Sequence, residues 1–180
     1  LLDRGFDNQS IAGDIGFSLG KLETSFSLWN TKGTTEYLVF GSPVSQDYKN
    51  EALATELKFI TEQNYNVLFN MNSSEDLINQ NNQNYLGVFD LTQTKRKSYE
   101  LLVHKKIEQS VSYSVGLEAE NEKVNYSSYG TNFKRDLATR ALFGTLEWEQ
   151  DNNSLIGSAR ESNHDLYGKQ LSWNIGFLRL

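Results

Sequence analysis

The feature that most constrains this chain is a strict alternation of apolar and polar side chains, repeated in segment after segment and never replaced by a long apolar run. Successive side chains of a β-strand point to opposite faces, so a period of two marks a strand with one face in an apolar environment. Between Ser10 and Leu19, Ile11, Gly13, Ile15, Phe17 and Leu19 share one face, and Ala12, Asp14, Gly16 and Ser18 the other. Between Leu22 and Asn30, Leu22, Thr24, Phe26 and Leu28 oppose Glu23, Ser25 and Ser27. Ser110–Glu120 is the clearest case, with Val111, Tyr113, Val115, Leu117 and Ala119 alternating with Ser, Gly and Glu. The same pattern begins at Leu53, Tyr65, Tyr99, Leu142 and Leu171, with a weaker segment over Leu155–Ala159. The sequence therefore predicts about nine strands.

Connections predict how the strands are arranged. Short turns at Gly20-Lys21, Glu62–Asn64, His104–Glu108 and Gln150–Asn153 alternate with long polar stretches at Thr31–Asn50, Ser73–Thr94, Asn121–Asp136 and Ser162–Lys169. Tight turns at one end and long loops at the other are the habit of an outer-membrane barrel. The fold class expected is all-β, an antiparallel up-and-down transmembrane β-barrel segment. An odd set of about nine strands does not close as a bacterial single-chain barrel, and an open edge in lipid leaves backbone groups unpaired at several kcal/mol each. Residues 1–180 are accordingly expected to be a partial barrel domain of a larger protein. Trp29, Tyr65, Tyr99, Trp148 and Trp173 lie near predicted strand ends, where rings at a lipid interface keep one wet edge.

Composition agrees with this reading and removes others. A mean hydropathy of -0.55 is ordinary for soluble proteins, yet a barrel strand needs only every second residue apolar, so the average discriminates little. No stretch approaches the ~18 apolar residues of a transmembrane helix. The absence of cysteine excludes disulfides and thiolate chemistry. A formal charge of -6, with no basic cluster denser than Lys95-Arg96-Lys97, argues against nucleic acid as a partner. The start, Leu1-Leu2-Asp3-Arg4-Gly5, lacks the basic and apolar regions of a signal peptide.

The segment Ala159-Arg160-Glu161-Ser162-Asn163-His164-Asp165-Leu166-Tyr167-Gly168-Lys169-Gln170-Leu171-Ser172-Trp173-Asn174-Ile175-Gly176-Phe177 resembles a recurring stretch of TonB-dependent outer-membrane receptors, particularly the cobalamin-transporter branch. There an Ala-Arg at a strand end leads through an Asp/Asn-rich turn to an aromatic-Gly, and a Thr/Ser-Trp opens the next strand. Arg4-Gly5-Phe6-Asp7-Asn8-Gln9-Ser10 is similar to the approach to an earlier strand of that branch. The resemblance implies a barrel of about 22 strands with a plugged lumen. It further implies import of a scarce nutrient, cobalamin or a siderophore or other metal chelate, driven by TonB through an N-terminal plug region that this segment lacks. The partners implied are outer-membrane lipid, the nutrient and TonB, and the location the bacterial outer membrane. In cobalamin transporters extracellular acidic residues bind calcium. The corresponding stretch here offers Asn30, Glu36 and Asp47 without the usual dense aspartates, so no metal site is assigned.

Two other functions compete: a porin-like passive channel, whose polar inner face would line a diffusion path, and a soluble β-sheet binding protein. Catalysis is not expected. His104 falls beside Lys105 and Lys106 at a predicted turn, His164 falls within an Asn-His-Asp turn, and no nucleophile elbow accompanies either. Glu75-Asp76 and Glu118, Glu120 and Glu122 lack calcium-loop spacing, and the three alternate glutamates read as an acidic row on one strand face. Asn79-Gln80-Asn81-Asn82-Gln83-Asn84 reads as a mobile polar loop. No cofactor is implied. The candidate ligand-contact residues are Tyr37, Phe40 and Tyr48, aromatics of the first long stretch, for which the alternative is packing of that stretch onto its neighbours.

Overall fold

A computed structural model of the chain describes residues 5–39, 41–82 and 89–179. The alternating segments become β1 (Phe6–Leu19), β2 (Leu22–Val39), β3 (Ser42–Ile60), β4 (Asn66–Asn82), β5 (Phe89–Lys106), β6 (Val111–Ser128), β7 (Thr131–Gln150), β8 (Asn153–His164) and β9 (Gly168–Arg179). They form one antiparallel sheet in the order of the sequence, every strand bonded to its chain neighbours. β1 and β9 are the two edges. Among the described residues there is no helix.

The connections correct the sequence reading. At one end, which we call the near end, tight turns stand at Gly20-Lys21, Thr61–Tyr65, Ile107–Ser110 and Asp151-Asn152. The first, second and fourth lie where expected, whereas β5 runs on through His104, Lys105 and Lys106, which pair with Ser114, Tyr113 and Ser112. At the far end the anticipated long loops are mostly strand. β2 and β3 pair down to Val39↔Ser42, and β6 and β7 down to Ser128↔Thr131. Tyr129 and Gly130, both at positive φ (45° and 82°), make the two-residue hairpin turn whose twist suits paired strands. Asn79–Asn82 of the asparagine-rich run belong to β4, and Gln83 and Asn84 lie outside the described residues.

In these extensions polar side chains occur on both faces and the apolar alternation is broken, so the cue to a strand weakens while the backbone ladder persists. Cross-strand side-chain pairs stabilise them instead: Asn30 donates to Glu51 (2.6 Å), Thr34 to Asp47 (2.6 Å), Gln93 to Glu75 (2.6 Å) and Arg96 to Glu122 (2.6 Å). Each such pair contributes roughly 0.2–1 kcal/mol.

The register sorts the near half of the sheet into two unlike faces. One, the banded face, carries rows such as Leu22–Phe59–Val67–Val103–Val115 and Phe69–Leu101–Leu117–Leu142, and its apolar positions extend from β1 to β9, with Thr24 and Glu161 among them. Its side chains are open: Ile15 is 67% exposed, Leu117 54%, Leu146 57% and Trp173 72%. The only buried apolar residues among those described are Val44 and Ala141, both on the other, polar face. The accessible surface is 12951 Å², against roughly 8900 Å² for a compact monomer of this mass. A sheet of this kind has no core of its own.

The band also slants. Its far limit moves from Ile11 on β1 to Leu171 on β9, three face positions nearer the near end in register. At ~3.4 Å per residue and ~4.8 Å per strand spacing, the strands lie roughly 25–30° from the perpendicular to the band. Along β1 from Ile11 to Leu19, and along β6 from Val111 to Ala119, the band is roughly 27 Å long.

Candidate functional site

On the polar face, charge collects at mid-height of β4–β8. Glu118, Glu120 and Glu122 do form a row on one face of β6, with Glu100 beside them on β5. Two arginines neutralise part of it. Arg96 donates through Nε and Nη2 to Glu122 (3.1 and 2.6 Å) and approaches Glu120 at 3.7 Å. Arg160 reaches from β8 across β7 to Glu118 (2.9 Å), passing above the ring of Phe143, its guanidinium 5.7 Å from the ring centre. The small Ala141 lies opposite Glu118 on β7 and leaves room for this span. Phe143 in turn lies over Gly116, filling the space that a side chain there would need. Asn70 donates to Glu100 at 3.2 Å.

Farther along the same face, the register aligns Tyr48, Ile78, Thr92, Tyr126 and Phe133 in a single row across β3–β7. Ile78, Tyr126 and Phe133 are each about two-fifths exposed (41%, 39% and 41%). Arg135, next to Phe133 on the polar face, places its guanidinium 5.3 Å from that ring. Tyr37 lies on the same face and donates its hydroxyl to Gln46 (3.3 Å), which precedes Tyr48 on that face of β3. An aromatic strip flanked by arginine, amide and hydroxyl groups can hold a ligand having both apolar and polar surface.

Of the three aromatics singled out from sequence, Tyr37 and Tyr48 are thus on one face at the far end, while Phe40 lies outside the described residues. They belong to strands rather than to a loop. Tyr48 also covers Gly33, so part of its surface serves packing. Ile78, Tyr126 and Phe133 were missed because their segments read as loops, and loops have no faces; continuing the period of two through the polar stretches would have aligned them.

The remaining positions sort differently from expectation. Trp29 faces the polar side, paired with Ala12 and Ala52, and is not among the rings of the banded face. Tyr99, Trp148 and Trp173 are on the banded face. Tyr65 stands in the near-end turn under the Lys105 ammonium, 4.0 Å from the ring centre. His104 is in β5, not in a turn, with Nδ1 3.0 Å from the Ser114 hydroxyl. His164 secures the last far-end turn, its Nδ1 accepting from the Leu166 amide (3.0 Å) and its ring tilted against Tyr167, centroids 4.8 Å apart. Asp165 locks that turn to β7 by accepting from the Ala138 amide (2.8 Å). Asn30, Glu36 and Asp47 lie on the banded face beyond the band, and no group of three or more potential metal-ligating His, Asp or Glu side chains assembles among the described residues. No protein-family model and no curated protein matches the chain.

Proposed function

We propose that these nine strands are part of the wall of a TonB-dependent outer-membrane receptor, with the banded face against lipid and the polar face toward the lumen. The observation that carries this reading is the continuous, exposed apolar band backed by a charged and hydrogen-bonding opposite face. Left in water, the band would expose far more contiguous apolar surface than a soluble monomer tolerates. Its roughly 27 Å strand length, inclined by roughly 25–30°, suits the ~25 Å apolar belt of an outer-membrane barrel. The near-end turns would then face the periplasm, and the polar extensions would stand outside the membrane. Further strands would pair with β1 and β9 to close the wall.

Among barrels, a receptor is favoured by the Ala159–Phe177 resemblance. Residues of that stretch carry the Arg160–Glu118 bridge, the His164–Tyr167 turn and the outward Trp173. The far-end strip of Tyr48, Ile78, Tyr126 and Phe133 is the surface assigned to the imported nutrient, a corrinoid or a metal chelate, and TonB would act through the plug region. The test is to refold the full-length protein into lipid vesicles and follow heat-modifiable gel mobility, protease protection, and binding of cobalamin and ferric siderophores. Lipid-dependent folding with saturable binding is the expected result. Lipid-dependent folding with solute leakage and no binding would replace the receptor with a porin-like channel, and folding in plain buffer would replace the barrel with a soluble sheet.

A further inference from the structure

Between β6 and β9 the banded face is unevenly filled. The row Val115–Gly144–Ala159–Trp173 and the next one toward the near end, Tyr113–Leu146–Gly157–Ile175, bring three small residues together on β7 and β8. They floor a depression of about 450 Å³, with Val115 and Leu146 on one side and Trp173 and Ile175, each 72% exposed, on the other. A side chain added at Gly157 would meet nothing within 4 Å. On β4–β6 the same row is filled by Val67, Val103 and Val115, and no such trough forms there. The row just beyond the depression toward the far end holds a second irregularity. There Glu161 stands between Leu142 and Leu171, a carboxylate among leucines at the limit of the band. Lys169, one row farther on, holds it only loosely at 3.5 Å, and the two side chains keep 58% and 74% of their surface exposed.

We infer that this part of the banded face is the contact surface for a second copy of the same chain, the two copies related by a two-fold axis that runs between β8 and β9 along the membrane normal. This rests on the membrane reading above and adds a partner to it. A two-fold contact uses the same patch on both copies, so the patch must be complementary to itself. Here it is, in shape and in charge. Ridge and trough are neighbours in register, Trp173 beside Ala159 and Ile175 beside Gly157. An axis between the two strands sets β9 of each copy against β8 of the other, which brings each Trp173 over the partner's trough. The same axis brings each Glu161 toward the partner's Lys169, so two further ion pairs close the contact. Small residues let two backbones approach within a membrane, and a large aromatic entering a depression is the usual anchor of an interface. An acyl chain could fill the trough, but it offers Glu161 nothing, and an ionisable side chain at the edge of lipid is stabilised by a partner of opposite charge.

The test is single-molecule subunit counting of the fluorescently labelled full-length protein refolded into lipid vesicles at low protein density, with heat-modifiable gel mobility checked for every variant. Pairs are expected. Gly157→Leu, which fills the trough without a clash, and Trp173→Ala should each weaken pairing about thirtyfold, whereas Leu101→Ala, on the band at β5, should leave it unchanged. Glu161→Lys and Lys169→Glu should each abolish pairing when alone, and mixing the two variants should restore it, since each then supplies the charge that the other lacks. Single copies of normal heat-modifiable mobility, with or without a lipid retained in the trough, would overturn the contact while leaving the barrel intact. So would pairing undisturbed by Trp173→Ala, pairing weakened equally by Leu101→Ala, or no rescue on mixing. A protein that never acquires heat-modifiable mobility in lipid would sink the membrane reading, and this contact with it.

Discussion

Along β6 the banded face presents Val111, Tyr113, Val115, Leu117 and Ala119, and then, with no break in the strand, Asn121, Lys123, Asn125 and Ser127. The near half has one apolar face and one polar face; the far half is polar on the banded side and partly aromatic on the other. Hydrogen bonding between strands is the same in both. The backbone ladder is therefore indifferent to the change, and the side chains alone distinguish the two halves. The far half needs specific cross-strand pairs to stay ordered, whereas the near half depends on whatever covers its band.

The most forceful way to break this contrast is a charge placed at the same face in each half. Val115→Arg, at the middle of the band, should destabilise the protein folded in lipid vesicles by about 2–4 kcal/mol in urea titration. Asn125→Arg, farther along the same strand, should change it by less than about 0.5 kcal/mol. Equal effects would mean that the band is not the membrane-facing surface.

A second test sharpens the functional side. Tyr126→Ala combined with Phe133→Ala should weaken cobalamin or siderophore binding about tenfold, or ~1.4 kcal/mol, in equilibrium titration, with little loss of folded protein. Smaller again is Arg160→Ala, which leaves Glu118 without its arginine. With side-chain exposures of 37% and 27%, the pair is solvent-screened, and a loss of at most about 1 kcal/mol is expected in the same urea titration.

The smallest effect concerns the far half alone. Glu75 lies outside the band, where hydrogen bonds from Lys95 and then Gln93 hold its carboxyl below the ordinary 4.5. Its folded value is thus depressed, so the stabilisation is complete above the unfolded value and is lost as pH falls through the folded one. Acid titration below about pH 4.5 should loosen the β4–β5 extension, read by amide exchange, and Glu75→Gln should flatten that dependence.

Near-half strands were legible because one apolar face opposite a polar one writes a period of two into the sequence, as in Val111 to Ala119. The far half was not, because in Thr31–Asn50 polar groups fall on both faces among Tyr37, Val44 and Tyr48, and the stretch, its alternation broken, then resembles a loop. Tyr37 and Tyr48 were recognised by residue type alone, but the row joining Tyr48 to Phe133 requires register across five strands. Trp29 was misplaced for the converse reason: a ring near a strand end gives no face until its parity is counted, and Trp29 has the parity of Ser27, not of Leu28.

The strictly sequential strand order carries a mechanical consequence. Each of these strands is bonded only to its chain neighbours, so a force that unzips one ladder leaves the next to be loaded in turn. Extraction should proceed hairpin by hairpin. The β2–β3 unit, Leu22–Ile60, would release roughly 14 nm of chain at ~3.5 Å per residue, and a force-extension trace should be a sawtooth of such steps rather than a single rupture.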